Sequence, residues 1–395
     1  MASQRTAPLT LRHVLCQQKP TILCKSKLNR NSRSLAWPEV AAFTIWRDFN
    51  LENLNDSYGH ILDADDLLYP LELPQVEVLQ GVETEVDRDI GHLIAWNDAL
   101  MQQTLLVAKT RLGICQESNL TYLYSTPDKS VIAKLPNASS GSQVDHVIGL
   151  DNRLEPVLVV GLGRLSSKWA CMKLLAKLPQ PSGEMALPLR QLGNLCRKAG
   201  TRYGYIQTEE DLVVCCFSDT DNGEDLKAAV MPVPCTKHGV NMLTSELALW
   251  WLCMIAMSPN HSRLIQKEQD MVKINEWERL YHDADTTVMR HRYSNFEKSM
   301  SPATPSMAFI NLAPASSGIN QNYLANPVQP EGTNNPKSLA ELEDWGCSSN
   351  SADESAWNNP GVWTIPTNPN TWVDPKMLSM NQVADSGFNQ STYQP

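Results

Sequence analysis

The sequence predicts an α/β protein, with a mixed central sheet flanked by helices and a disordered tail at each end. Three observations predict it. Short apolar runs of strand length (144–150, 156–161, 211–217 and 226–234) sit between Gly, Pro and polar punctuation. Segments with apolar residues at helical spacing are interleaved with them. The two ends of the chain, by contrast, are poor in apolar periodicity. The 395 residues suffice for one large domain or two smaller ones, and 42% of them are hydrophobic, enough for a substantial core.

Taken in chain order, residues 1–38 hold seven basic residues and no acid, the pattern of a solvated tail, a transit peptide or a nuclear or nucleic-acid arm around KSKLNRNSR. The expectation is a disordered basic tail, followed by a domain over 39–300 that begins with a helical part. DIGHLIAWNDALMQQTLLVAK (89–109) has helical spacing, with Gly113 as its stop signal. Strand-like runs follow at 120–125, 131–135, 144–150 and 156–161. KWACMKLLAKL and MALPLRQLGNLCRKAG read as helices, the second closed by Gly200. YGYIQT and DLVVCCF make a hairpin across Glu209 and Glu210, and LKAAVMPVP adds a strand. TSELALWWLCMIAM is apolar all round, hence a central helix, and stops before Pro259. His261, His282 and His291 fall in a polar stretch that reads as helical and exposed. Residues 301–395 contain 11 Pro, 13 Asn and 12 Ser, a composition that predicts disorder. Trp345, Trp357, Trp363 and Trp372 punctuate this acidic tail as candidate partner-docking positions.

Composition also excludes. The longest wholly apolar run, LALWWLCMIAM, has 11 residues, against the roughly 20 a bilayer span needs. Ten scattered cysteines without a secretory signal read as reduced thiols, so the expected location is intracellular: nucleus or cytoplasm, with the mitochondrion open because of the basic first segment. The 39–300 segment carries a net charge of -11, a poor footprint for nonspecific nucleic-acid binding.

Gly161-Leu162-Gly163-Arg164-Leu165-Ser166 reads as a turn after a strand and before a helix, where a dinucleotide fingerprint would lie. The third glycine is Ser166, and Glu184, about 20 residues on, lies in a Pro-Gly turn rather than at a strand end. No Gly-Lys-Ser/Thr follows, so a P-loop is excluded and no nucleotide cofactor is expected. Cys215-Cys216 and Cys235-x-x-His238 are weak zinc signals, because adjacent strand residues face opposite sides. No Gly-x-Ser-x-Gly elbow occurs.

The neighbours of the Gly-x-Gly give a second reading. Val144-Asp145, Gly161 to Arg164, Ser166-Ser167-Lys168-Trp169, Arg190-Gln191, TRYGYIQTEEDLVVCCF, ELALWWLCMIAMSPNH and Arg263 occur in this order. Over about 121–265 the chain resembles a group of filamentous-fungal proteins with a PD-(D/E)XK, or restriction-endonuclease-like, domain. The resemblance implies an αβββαβ core and a Mg²⁺-dependent phosphodiesterase site: a carboxylate at Asp145, a second acid at Leu162, a lysine at Arg164 and a helical glutamine at Gln191. In that chemistry two carboxylates hold the metal and the lysine steadies the attacking water and the charge on phosphorus. Here Leu162 has no oxygen to offer, Arg164 stays protonated, and the aromatic often found four residues after the glutamine is Leu195. Asp145 alone is a weak metal ligand. The expectation is therefore a degenerate, catalytically inactive domain that acts by binding a nucleic acid or a protein. Two alternatives stand beside it. One is an active Mg²⁺ nuclease with a migrated acid from Asp151, Glu155, Glu184, Asp98 or Glu85. The other is an accessory protein with no nucleic-acid role, its tails serving as docking segments.

Overall fold

The computed structural model describes residues 10–27, 30–64, 73–113, 120–124, 144–150, 157–176, 183–281 and 287–299. The expected strand at 131–135, Asp151, Glu155, His282 and the acidic tail with its four Trp lie outside the described residues. Asp211–Asp219 (β8) and Leu226–Pro234 (β9) pair antiparallel, as do Tyr203–Gln207 (β7) and β8. Leu120–Tyr124 (β4), His146–Leu150 (β5) and Val157–Gly163 (β6) form an antiparallel meander, and β6 runs parallel to β7. Val40–Ile45 (β2) joins the far edge parallel to β9, which gives the order β2-β9-β8-β7-β6-β5-β4. The sheet is mixed.

Both faces are covered, which is why the inner strands are apolar at every position rather than alternating. On one face Gly183–Ala199 (α5) packs Leu189, Leu192, Leu195 and Cys196 over Val160, Leu162, Ile206, Val213, Cys215 and Phe217. On the other, Ser245–Met257 (α6) and Gly91–Leu112 (α3) cover Leu158, Tyr203, Tyr205, Leu212, Val214 and Cys216. Cys215 and Cys216 thus face opposite layers. Every residue of α6 is buried, and Trp250 and Trp251 are fully so; burying such side chains contributes about 1.5–3 kcal/mol apiece. The Thr244 hydroxyl accepts from Leu247 N–H and caps its start. Gly113 ends α3 in the left-handed conformation, φ 62°, as its position after the apolar spacing predicts.

Three expectations about the periphery fail. The basic segment is not a free tail: Leu11–Leu15 (α1) buries Leu11, Val14 and Leu15 in the α6-side core, and the Lys19 ammonium makes a buried ion pair with Glu246 of α6. Leu23–Cys24 (β1) pairs with Glu83–Thr84 (β3). The part expected to be helical opens instead with strand β2 before helix Leu51–Leu62 (α2), whose Asn50 cap accepts from Asn53 N–H. The stretch after α6 is a small antiparallel sheet of Trp277–Tyr281 (β10), Thr287–His291 (β11) and Glu297–Ser299 (β12), not a helix. Its alternation of half-buried and exposed residues is short and mixed with charge, so it resembles a polar helix in sequence. His291 is correspondingly not a surface residue: it is buried and its Nε2–H donates to the Ile274 carbonyl, 2.9 Å away, while His261 is half-buried.

Candidate functional site

The Gly-x-Gly lies inside β6, not in a turn after it. Gly161 is required by packing: a Cβ there would come within 2.4 Å of the Tyr205 ring, which crosses over it from the neighbouring strand. Overpacking of that kind costs about 1–3 kcal/mol or more. Gly163 faces Ile90, where a Cβ would meet side-chain carbons at 3.2 Å. These two glycines make room for side chains, and their amides serve the sheet and Asp145 rather than a phosphate.

Around the end of β6 the structure assembles the residues the motif predicts. Asp145, just before β5, donates its N–H to the Gly161 carbonyl at 3.3 Å, and its Oδ2 accepts from Gly163 N–H at 2.8 Å. Leu162 lies between those two contacts in sequence and is 0% exposed, packed in the apolar layer under α5. Arg164, two residues on and so on the same face, is 4% exposed. Its Nη1 donates to the Gly163 carbonyl and its Nη2 to Gln191 Oε1 on α5, both at 2.5 Å, and Nη1 stands 3.6 Å from Asp145 Oδ2. The adjacent Arg190 reaches across to the Pro38 and Trp37 carbonyls and to Glu39, 2.9 Å away, fastening α5 to the approach of β2.

Of the proposed replacement acids, the three among the described residues, Asp98, Glu184 and Glu85, are held in separate surroundings. Asp98 lies on α3, across the sheet. Its Oδ1 is 2.9 Å from His146 Nε2, its Oδ2 accepts from Gln102 at 2.7 Å, and His146 Nδ1 in turn meets the Tyr205 hydroxyl at 2.5 Å. His146 is fully buried. That chain of polar groups is a buried network in which Asp98 is committed to His146 and Gln102. Glu184, at the exposed start of α5, lines a separate cleft of about 360 Å³ with Arg33, Leu187 and Arg190. Glu85 is exposed, in the turn capped by the Asp89 carboxylate. Cys235 receives a hydrogen bond from Gln207 at 3.4 Å, whereas His238 is exposed with Nδ1 against its own turn's Thr236 carbonyl.

Two acids that sequence reasoning passed over hold the segment after β6. Asp87 accepts from Leu165 N–H at 3.2 Å and from the Lys168 ammonium at 2.7 Å. The buried Glu209 carboxylate accepts from Ser166 N–H at 3.0 Å and from the Ser166 hydroxyl at 2.8 Å. Their only sequence signal was the Glu209-Glu210 pair, which reads as hairpin turn. Both fix the backbone that presents Arg164. Trp169, fully inside the fold, donates its indole N–H to the Met185 carbonyl at 2.9 Å and ties the same segment to α5.

The residues at this strand end do not fit a divalent ion. Leu162 supplies no oxygen, and an internal cation already stands beside the Asp145 carboxylate. Among the described residues no group of three or more His, Cys, Asp or Glu is arranged to hold a metal. No helix among the described residues is long and apolar enough to cross a membrane. No family model matches the chain, and no curated protein or solved structure matches it either.

Proposed function

We propose that residues 39–300 are a PD-(D/E)XK-like domain that has lost its metal centre and acts by binding. The observation that carries this reading is the constellation of Asp145, Leu162, Arg164 and Gln191 on one face at the end of β6. The run α3-β4-β5-β6-α5-β7, a helix, a three-strand meander, a covering helix and a strand parallel to the last of the meander, supports it, with only the five-residue helix Cys171–Leu175 (α4) inserted between β6 and α5, because that is close to the αβββαβ order the resemblance implies. Asp145 would be the remaining carboxylate. Leu162 takes the place of the second acid, and the permanently charged Arg164 takes that of the lysine. A guanidinium held by Gly163 and Gln191 neutralises the site from within, as a divalent ion would have done from without.

The acidic net charge of 39–300, -11, favours a protein over a nucleic acid as the bound partner. An active nuclease with a migrated acid is the weaker alternative, since Asp98 is committed to His146 on the opposite face.

Purified protein is expected to leave single- and double-stranded DNA and RNA uncut in Mg²⁺ or Mn²⁺. Leu162→Glu combined with Arg164→Lys should raise Mn²⁺ affinity at least tenfold by calorimetry, with circular dichroism confirming the fold. Cleavage by the unaltered chain that vanishes in Asp145→Ala would overturn the reading in favour of an active nuclease. A folded double variant that binds no metal would show that this strand end is not a former metal site.

A further inference from the structure

The central sheet ends at β4 on one side and at β2 on the other, and among the described residues no strand pairs with the outer edge of β2. Its inner side is occupied: β2 runs parallel to β9, and Trp46 N–H donates to the Val230 carbonyl at 2.9 Å. Along a strand the backbone groups point alternately to one neighbour and the other. That bond therefore turns the N–H and C=O of Ala42 and Thr44 towards β9, and those of Phe43 and Ile45 outwards. The Ile45 carbonyl accepts from Arg47 N–H at 2.9 Å. The Phe43 N–H and C=O and the Ile45 N–H have no hydrogen-bond partner among the described residues.

The edge lacks the devices that usually keep such a row of free groups from pairing. Val40–Ile45 reads VAAFTI, without a charge or a proline, and Ala41 and Thr44 are exposed. The one irregularity, a register shift against β9 between Val40 and Ala42, lies at the start and leaves Ala42 to Ile45 in step. Charges stand only at the two ends, four residues to either side of Phe43. Glu39 precedes the strand with its side chain 64% exposed, and its Oε1 is 2.9 Å from Arg190. Arg47 follows the strand, exposed and paired with no carboxylate among the described residues.

We propose that β2 pairs with β2 of a second copy of this chain, antiparallel about a two-fold axis at Phe43. Two features select this register. Phe43 faces outwards, so two Phe43 residues can exchange both N–H···O=C bonds. Each position is then opposed by the one equally far beyond Phe43 in the partner, which sets Glu39 of one copy against Arg47 of the other at both ends. An axis at Thr44 would need the Ile45 carbonyl that Arg47 N–H already holds, and would set Arg47 against Ala41. The edge is thus complementary to itself, neutral along its length, acidic at one end and basic at the other, as an isologous contact requires. The net charge of -10 opposes association of copies through surfaces without such a match. β9, β8 and β7 separate β2 from β6, so the proposal does not rest on the reading of the β6 end.

The test is sedimentation equilibrium of the full chain between about 1 and 200 µM, which brackets the affinity of a small interface. A reversible monomer–dimer equilibrium is expected. Amide exchange at Phe43 and Ile45 should slow as the dimer fills, while exchange in β8 stays unchanged. Arg47→Glu replaces an attractive pair at each end by a like-charged one and should weaken the dimer by about tenfold or more. Glu39→Arg should do the same. Combining the two restores opposite charges at both ends, and should return the dissociation constant to within about threefold of the parent value. Both side chains are exposed, so a retained melting temperature shows that each variant is folded. Glu39 also meets Arg190, so Arg47→Glu is the decisive single change. A chain that stays monomeric throughout, a dimer indifferent to Arg47→Glu, or a loss that the double reversal fails to restore overturns the proposal.

Discussion

At the scale of single residues, side chains with no apolar or periodic signature make the decisive contacts. Gly161 looks like a nucleotide-loop glycine until Tyr205 is seen lying over it, and that close approach is a long-range fact no local pattern encodes. Asp145, Arg164 and Gln191 were legible as candidates because their order and spacing match a motif, and their common face follows from strand alternation and register. Asp87 and Glu209 were not, since a carboxylate that accepts from backbone amides leaves no trace in sequence. Asp211, at the start of β8, gives a test with a definite sign. Burial first, then the neighbouring Glu210, raises its carboxyl to about 6, with Lys237 acting in the opposite direction. The folded state therefore holds this proton more tightly than the unfolded chain. Its contribution is fully present below the unfolded value of 3.8 and is lost as pH rises through about 6. Asp211→Asn should melt higher than the parent above pH 6, with the difference shrinking towards pH 4. Equal melting temperatures across that range would refute the assignment.

Elements with a continuous apolar signal were readable, and those stabilised by partners distant in sequence were not. β8 and α6 are recognisable because each is covered on all sides, so nearly every position is apolar. β2 is an edge strand whose partner in β9 lies about 185 residues further along the chain, and β10 to β12 alternate over too few residues to stand out. α1 is five residues long and acquires its helix only by docking on α6. The link between α1 and α6 continues through Lys19, whose ammonium donates to Ser245 Oγ at 2.8 Å and pairs with Glu246. Desolvation, the largest single effect, lowers the Lys19 ammonium, but Glu246 and Cys235 together more than offset it and leave it raised. Glu246 lies in the first turn of α6, where a negative charge is also favoured by the helix dipole. Replacing Lys19 by Met strands that carboxylate in the core and should cost about 3–5 kcal/mol in urea unfolding. Adding Glu246→Met should recover most of the loss, because a buried ion pair replaced by apolar groups of similar size is often nearly neutral. A single variant within about 1 kcal/mol of the parent would mean that the pair behaves as a solvated surface contact.

For the whole molecule, composition suggested a disordered tail at each end, basic at the first and acidic at the last, and the described part of the first is docked on the domain. Both ends lack a long apolar period, which is what made them look alike. A short segment needs few apolar residues to be held, provided they meet a prepared surface, and Leu11, Val14, Leu15 and Cys16 meet α6 in this way. Arg12 adds a two-pronged ion pair to Asp63 at the end of α2, with Nε at 2.5 Å and Nη2 at 2.8 Å. Cys16 also accepts at its carbonyl from Gly239 N–H, 2.8 Å away, so the segment touches the loop before α6 as well. Truncation is the corresponding test. Removing residues 1–24 strips three or four buried aliphatic side chains and the partner of Glu246, and at about 1.5–3 kcal/mol per side chain this approaches the whole stability of an ordinary domain, about 5–15 kcal/mol. The truncated chain should be largely unfolded or insoluble at 37 °C. Removing 301–395 takes away a segment whose Pro, Asn and Ser content predicts no packed core, and every element described lies before it. That chain should melt within a degree or two of the full-length protein. If instead the first truncation melts normally and the second collapses, the basic segment is the dispensable one and the docking of α1 on α6 does not hold the fold.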